Sequence, residues 1–165
     1  MRSLVTALAA LLLAACAAPN SGYPTSISLP YTEAAHAEYS RPGESVLRGQ
    51  AFLRQRGGGI VTCAGATVLL LPETPYFQEA LMVARGLRSP AFVEGVSVGH
   101  ANVTRRTQCD AQGNFVFERL PTARWRVLTE VRWDAGRIPQ GGMLARSISV
   151  ELQLDPVIMS DADRI

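Results

Sequence analysis

The sequence predicts an all-β sandwich interrupted by one short helical insertion, and three observations carry that expectation. From Ser45 onward the chain breaks into short β-rich runs separated by Gly and Pro. Trp125, Val127, Thr129, Val131 and Trp133 alternate with Arg124, Arg126, Leu128, Glu130 and Arg132, so one face takes two indoles and the other is mainly charged. Only Pro75 to Gly86 spaces its apolar residues, Phe77, Leu81 and Ala84, as a helix does, behind a Thr74 cap and a proline in the first helical position.

A chain of 165 residues fits one domain, and 47% hydrophobic with 18% charged residues allows a core of ordinary size. The formal charge is only +2. Every basic residue is Arg, so chemistries built on a lysine amine, such as phosphate loops, Ser-Lys acyl transfer and Schiff bases, are excluded.

The N-terminus reads as an export signal. Arg2 supplies a positive charge, Ala7 to Leu13 is an unbroken apolar run, and Ala14 and Ala15 precede Cys16. The apolar run is shorter than the ~20 residues a spanning helix needs. Leu13-Ala14-Ala15-Cys16 resembles the lipobox of bacterial lipoproteins, and the resemblance implies a diacylglyceryl group on Cys16 after removal of residues 1–15; the alternative is ordinary cleavage with a free Cys16. Multiple acyl chains would hold the protein stably at a membrane. In the resembled Gram-negative lipoproteins a residue other than Asp after the Cys, here Ala17, points to the outer membrane, facing the periplasm.

Three cysteines leave an odd thiol in an exported protein, and acylation of Cys16 accounts for it. Cys63 and Cys109 then remain as a pair that can bridge in an oxidising compartment, the alternative being two buried thiols. Only His36 and His100 could join them on a metal, and neither shows zinc-ligand spacing, so no metal or cofactor is expected.

Residues 16–44 are expected to form an acylated tether: Pro19, Pro24, Pro30 and Pro42 stand among polar residues without sustained periodicity, and a coil of this length reaches roughly 30 Å. Tyr23, Tyr31 and Tyr39 recur every eight residues, either as contacts for a partner or else lying along the folded domain or idle in the coil. The sandwich is expected over 45–155. Val46 to Arg54 is its first strand, Gly57-Gly58-Gly59 a turn or bulge, Ile60 to Cys63 a short strand, and Ala66 to Leu71 a central strand closed by Pro72. After the helix, Ser89 to Gly99 carries no clear pattern. Val103 to Cys109 and Phe115 to Leu120 flank Asp110-Ala111-Gln112-Gly113-Asn114 and read as a hairpin. Ile148, Val150, Leu152 and Leu154 alternate with polar residues in a last strand, after a long turn from Asp134 to Gly142, and residues 156–165 read as a tail.

Gly49-Gln50-Ala51, Cys63-Ala64-Gly65-Ala66-Thr67-Val68 and Asp110-Ala111-Gln112-Gly113-Asn114-Phe115, leading through Leu120-Pro121 to Trp125, resemble the carboxypeptidase regulatory-like domain over about half the chain. The resemblance implies a transthyretin-like Greek-key sandwich without catalytic residues, serving as a stabilising, spacing or binding module. Its usual corner glycine is absent here, and Trp125 stands where the family has Tyr.

Nucleophilic catalysis needs a base, and only His36 and His100 are available; Ser97 near His100 is the nearest reactive pair. Paired carboxylates for glycoside hydrolysis are not singled out, because Asp110, Glu118, Glu130 and Glu151 fit turn or solvent-facing positions. Arg105, Arg106, Arg119, Arg124, Arg126 and Arg132 on neighbouring strands, with Arg124, Arg126 and Arg132 foremost, are the candidate anion- or partner-binding group, or else are paired with acids such as Glu118, Glu130 and Glu151. The near-balanced charge and exported address argue against nucleic acid. The expectation is a non-enzymatic, membrane-anchored envelope lipoprotein that docks another envelope protein through a sheet edge or the Pro75 to Gly86 helix. The alternative is a carbohydrate or peptidoglycan-binding module for cell-wall polysaccharide, which would need exposed aromatics although alternation buries both Trp residues.

Overall fold

The computed structural model describes residues 22–151 and 155–165, so the leader, Cys16, Leu152 and Leu154 lie outside the described residues. Eight strands form two four-stranded sheets. The first contains β1 (Ser45–Arg54), β2 (Ile60–Thr62), β5 (Asn114–Leu120) and β8 (Val157–Met159), with β1 at its centre. The second has the order β4 (Arg105–Gln108), β3 (Thr67–Pro72), β6 (Ala123–Ala135) and β7 (Ile138–Val150). The chain is the all-β sandwich its alternation predicts. Leu47, Ala51 and Leu53 of β1, Val68 and Leu70 of β3, Phe115 and Phe117 of β5, and Trp125, Val127 and Val131 of β6 are all buried. Their spacing of two residues puts each set on one face of its strand.

Two helices, rather than one, interrupt the strands. α1 (Pro75–Leu87) starts at the expected Thr74-Pro75 but runs past Gly86, and Arg88 caps it in the left-handed conformation at φ 51°. Gly86 instead lets the N-terminal segment approach, since a Cβ there would lie 2.6 Å from Tyr23 Cβ. α2 (Pro90–Gly99) starts with a second Ser-Pro signal, Ser89-Pro90, and buries Val93 and Ser97. Its valines and glycines weaken the intrinsic helical preference, which hid it from sequence reading.

The predicted hairpin around Asp110 is not a hairpin, because β4 pairs with β3 and β5 with β1. The turn nevertheless forms with the expected chemistry: Asp110 Oδ1 accepts from the Gln112 and Asn114 N–H groups at 2.9 and 2.8 Å. It carries the chain from one sheet to the other. The Cys63–Cys109 disulfide, with Cα atoms 5.8 Å apart, ties the end of β2 to the end of β4 and so joins the sheets. The long turn expected from Asp134 to Gly142 is replaced by strand: Ala135 pairs with Ile138, leaving Gly136 and Arg137 as a two-residue turn, with Gly136 at φ 69°.

Two segments expected to lie outside the sandwich belong to it. The predicted tail supplies β8, which pairs parallel to β1 and buries Met159; beyond it, Asp163 binds the Arg146 guanidinium at 2.7 and 3.0 Å. The part of the predicted tether from Tyr31 to Tyr39 packs on the domain, with His36 and Tyr39 buried. Glu79 of α1 holds the segment further upstream, accepting hydrogen bonds from the Ser28 N–H, the Leu29 N–H and the Ser28 hydroxyl. Residues 31–39 therefore belong to the domain and not to a tether, because three aromatic side chains give this stretch enough apolar surface to dock.

Candidate functional site

Trp133 ends the alternating row of β6. Trp125, four pairs earlier in that row, is fully buried and donates from Nε1 to the Pro121 carbonyl at 3.4 Å. Trp133 differs because β3 pairs with β6 only as far as Thr129, leaving the end of β6 flanked by β7; its side chain packs against the core yet is only partly buried. The expectation that both indoles are buried thus holds for Trp125 alone.

The partly exposed ring lines a cleft of about 540 Å³ between the end of β1 and the β6–β7 hairpin. β1 contributes Arg54, whose guanidinium lies 5.9 Å from the Phe52 ring centre, and the tight turn after it contributes Gln55 and Arg56. That turn is closed by hydrogen bonds between Gln55 and Gly59 at 2.8 Å and between Gly58 and Gln55 at 3.0 Å, so the three glycines serve backbone geometry as expected. Gln140, paired with Trp133 across the hairpin, adds an amide. Arg164 completes the rim.

Arg164 reaches the cleft because the C-terminal segment folds back on β7. Leu144 and Arg164 form an antiparallel bridge, and the Ile165 N–H donates to the Met143 carbonyl at 3.1 Å. Its guanidinium lies on a strip without side chains, donating to the Gly141 carbonyl, while a Cβ on Gly142 would stand 2.7 Å from its Nε. Among the described residues, no carboxylate lies within ion-pair distance of Arg54, Arg56 or Arg164. An apolar ring face flanked by amides and unpaired guanidinium groups can stack a ring-shaped ligand and hydrogen-bond its polar edge.

The three arginines foremost in the sequence reading are satisfied within the chain instead. Arg124 and Arg126 converge on Glu73 at 3.2 and 2.8 Å, Arg126 also donates to Ser147 at 2.7 Å, and Arg132 pairs with Glu130 at 2.6 Å. Burial pushes the Glu73 carboxyl up, but hydrogen bonds from Ser147 and Arg126 outweigh it and hold the group below the usual carboxylate range. Glu130 was an expected partner; Glu73 was not, since it stands between β3 and α1. Arg54, Arg56 and Arg164 escaped sequence reading because no periodicity links them. The Gly141-Gly142 pair was the available signal that another part of the chain passes close.

A second cluster collects both histidines. Tyr31 stacks on His36 and on His100, with ring centres 4.5 and 4.1 Å apart. His36 is held by the Thr32 carbonyl at 2.7 Å and the Thr74 hydroxyl at 2.8 Å, which is why Thr74 does not cap α1 with its side chain. Burial holds the His100 imidazole below its usual range, and His36 adds to the effect. His100 shares a 2.9 Å hydrogen bond with the Tyr76 hydroxyl, while the Ser97 hydroxyl donates to Thr104 at 3.0 Å. Ser97 and His100 therefore do not form a nucleophile and base. No group of three metal-ligating side chains occurs among the described residues.

No family profile matches the chain, and no curated protein does. A solved structure is similar: a protein from Pseudomonas aeruginosa described as a "putative carbohydrate binding protein" superimposes with a TM-score of 0.64 over 80% of this chain and 98% of that chain, at 23% identity. At that identity the likeness shows a shared fold.

Proposed function

We propose that this protein is a non-catalytic saccharide-binding module of the cell envelope, anchored to a membrane through acylated Cys16. The partly exposed Trp133, lining a cleft rimmed by amides and guanidinium groups, carries the reading. Sugars present C–H faces that pack on aromatic rings and hydroxyls that pair with such groups. The fold shared with a protein described as a "putative carbohydrate binding protein" is consistent with it, and the lipobox-like Leu13-Ala14-Ala15-Cys16 supports the anchor. No helix among the described residues is long and apolar enough to cross a membrane.

Docking of another envelope protein through α1 has less support. The helix turns Phe77, Ala80, Leu81, Val83 and Ala84 inward, leaving Met82 and Leu87 as its large exposed apolar residues.

Tryptophan fluorescence tests the saccharide reading, because Trp125 is fully buried and Trp133 is partly exposed. Cell-wall oligosaccharides should protect the Trp133 emission from acrylamide, and Trp133→Phe should remove the protected component. If none of a panel of neutral and charged oligosaccharides alters quenching, the reading fails. Mass spectrometry of the membrane-extracted protein tests the anchor: an unprocessed polypeptide without added acyl mass would refute it.

A further inference from the structure

Resting on the saccharide reading, we infer that the ligand is an anionic polysaccharide, bearing carboxylate or phosphate groups, which lies across Arg164 and occupies a second basin as well as the Trp133 cleft. Arg164 lines both spaces. On its far side is a basin of about 510 Å³, bordered by Arg85 and Arg88 at the end of α1 and by Gly141 and Gly142 of β7. Each space falls within the roughly 300 to 1,000 Å³ of small-ligand sites. Together they set Arg54 and Arg56 on one side of Arg164 and Arg85 and Arg88 on the other.

Arginines without an acidic partner gather at this surface: among the described residues Arg41, Arg48, Arg105, Arg119 and Arg137 also lack one, but they line neither space, whereas five line these two adjoining spaces. Arg124, Arg126, Arg132 and Arg146 all have acidic partners within 3.2 Å. None of the five arginines around the two basins has one among the described residues. Of the acids nearby, Glu130 lines the second basin but pairs with Arg132, Asp163 pairs with Arg146, and Asp161 accepts the Arg54 backbone N–H at 3.3 Å. Five guanidinium groups in one sequence of spaces repel one another, and an anionic chain relieves that repulsion while accepting two-pronged hydrogen bonds.

Backbone geometry points the same way. Arg88 holds φ 51° at a helix end where Gly is the unstrained choice. Gly141 and Gly142 leave bare the strip on which Arg164 rests, so a cation lies at the junction of the two spaces with no side chain beneath it. A neutral sugar would be served by Trp133, the glutamines and the guanidinium groups of the first cleft and have no need of the second basin.

The test uses the full chain with three probes: oligogalacturonate, its fully methyl-esterified form, and phosphomannan. The carboxylate form, the phosphate form or both should bind on the order of tenfold or more tighter than the ester, since each ionised partner adds charge-assisted hydrogen bonds. Raising salt from about 0.05 to about 0.5 M should erode that advantage. Arg164→Gln and Arg88→Gly should each reduce anionic binding severalfold more than they reduce ester binding. Arg88→Gly also suits the left-handed backbone, so loss of fold would not explain its effect. Arg48→Gln, at an exposed position of β1 that lines neither space, should change nothing. If the ester binds as tightly as both anionic probes, the anionic inference is overturned and the saccharide reading survives. If no probe binds and Trp133 stays equally quenched, both fall. If anionic binding survives Trp133→Ala and Arg164→Gln unchanged, the assignment to these two spaces is wrong.

Discussion

Tyr39 meets Trp125 edge-on, with ring centres 4.8 Å apart and an interplanar angle of 87°. A residue from the Pro-rich N-terminal segment thereby seals the aromatic that opens the β6 row. Arg105 fastens the contact, donating to the Tyr39 carbonyl at 2.9 Å with its guanidinium 5.9 Å from the Trp125 ring centre. Tyr39→Ala should cost about 3 kcal/mol, since it removes a buried aromatic and an edge-to-face pair. Deleting residues 22–44 should destabilise the domain at least as much. Urea denaturation followed by Trp125 emission measures both, and a deletion that unfolds at the same midpoint as the intact chain would show that this segment is a passive tether.

The Tyr31 stack predicts a particular response to acid. Burial and His36 hold the folded-state value of His100 below its usual 6.5, so folding excludes a proton. The unfolded chain binds more protons in that window, and the contribution of His100 is complete above about pH 6.5 and is lost as pH falls below it. Glu73, Glu79 and Asp110 are also held below their usual ranges, but their contributions are lost only at lower pH, near and below about 4. Melting temperature should therefore fall in two separate steps on acidification. His100→Phe keeps a ring against Tyr31 and should abolish the upper step alone; an unchanged upper step in that variant would assign it to another group.

The predictable parts of the fold are those where one strand or helix carries its own signal. β3 and β6 announce themselves by apolar runs or period-two alternation, and Thr74-Pro75 marks the start of α1. Which strands pair is not local information. The Asp110 turn was readable down to its hydrogen bonds, yet nothing within residues 103–120 says that β5 pairs with β1, more than sixty positions away in register at Gln50 and Asn114. The candidate site follows the same rule. Trp133 was visible as an aromatic on an alternating strand, whereas its exposure depends on where β3 stops pairing with β6. Its cationic neighbours depend on the C-terminal residues returning to β7. The eightfold tyrosine spacing recorded real contacts, but made within the chain: Tyr23 under Arg85, Tyr31 between histidines, and Tyr39 on Trp125.

Two arginines on the same strand should respond differently to removal. Arg126 binds Glu73, whose side chain is only 7% exposed, and Ser147 as well; Arg132 is 67% exposed and pairs with Glu130. Arg126→Ala deprives a shielded carboxylate of a charged donor and should cost about 2 kcal/mol. Arg132→Ala breaks a solvated pair and should cost less than about 1 kcal/mol. Equal costs in urea denaturation would mean that Glu73 is as well solvated as Glu130.

The Cys63–Cys109 bridge spans 46 positions and crosses between the sheets at the point where β2 and β4 end. Closing a loop of that length restricts the unfolded chain by an amount worth about 4 kcal/mol. Both sulfurs are buried, so the native bridge should resist mild reductant and open readily only once the domain unfolds. The double variant Cys63→Ala with Cys109→Ala should show a denaturation midpoint well below that of the oxidised protein, and adding reductant should lower the midpoint of the native chain but not of the variant. The two small side chains also leave a gap in the core, so the variant should be somewhat less stable than the reduced native protein. A variant as stable as the oxidised chain would mean that the sheets are held in register by packing alone.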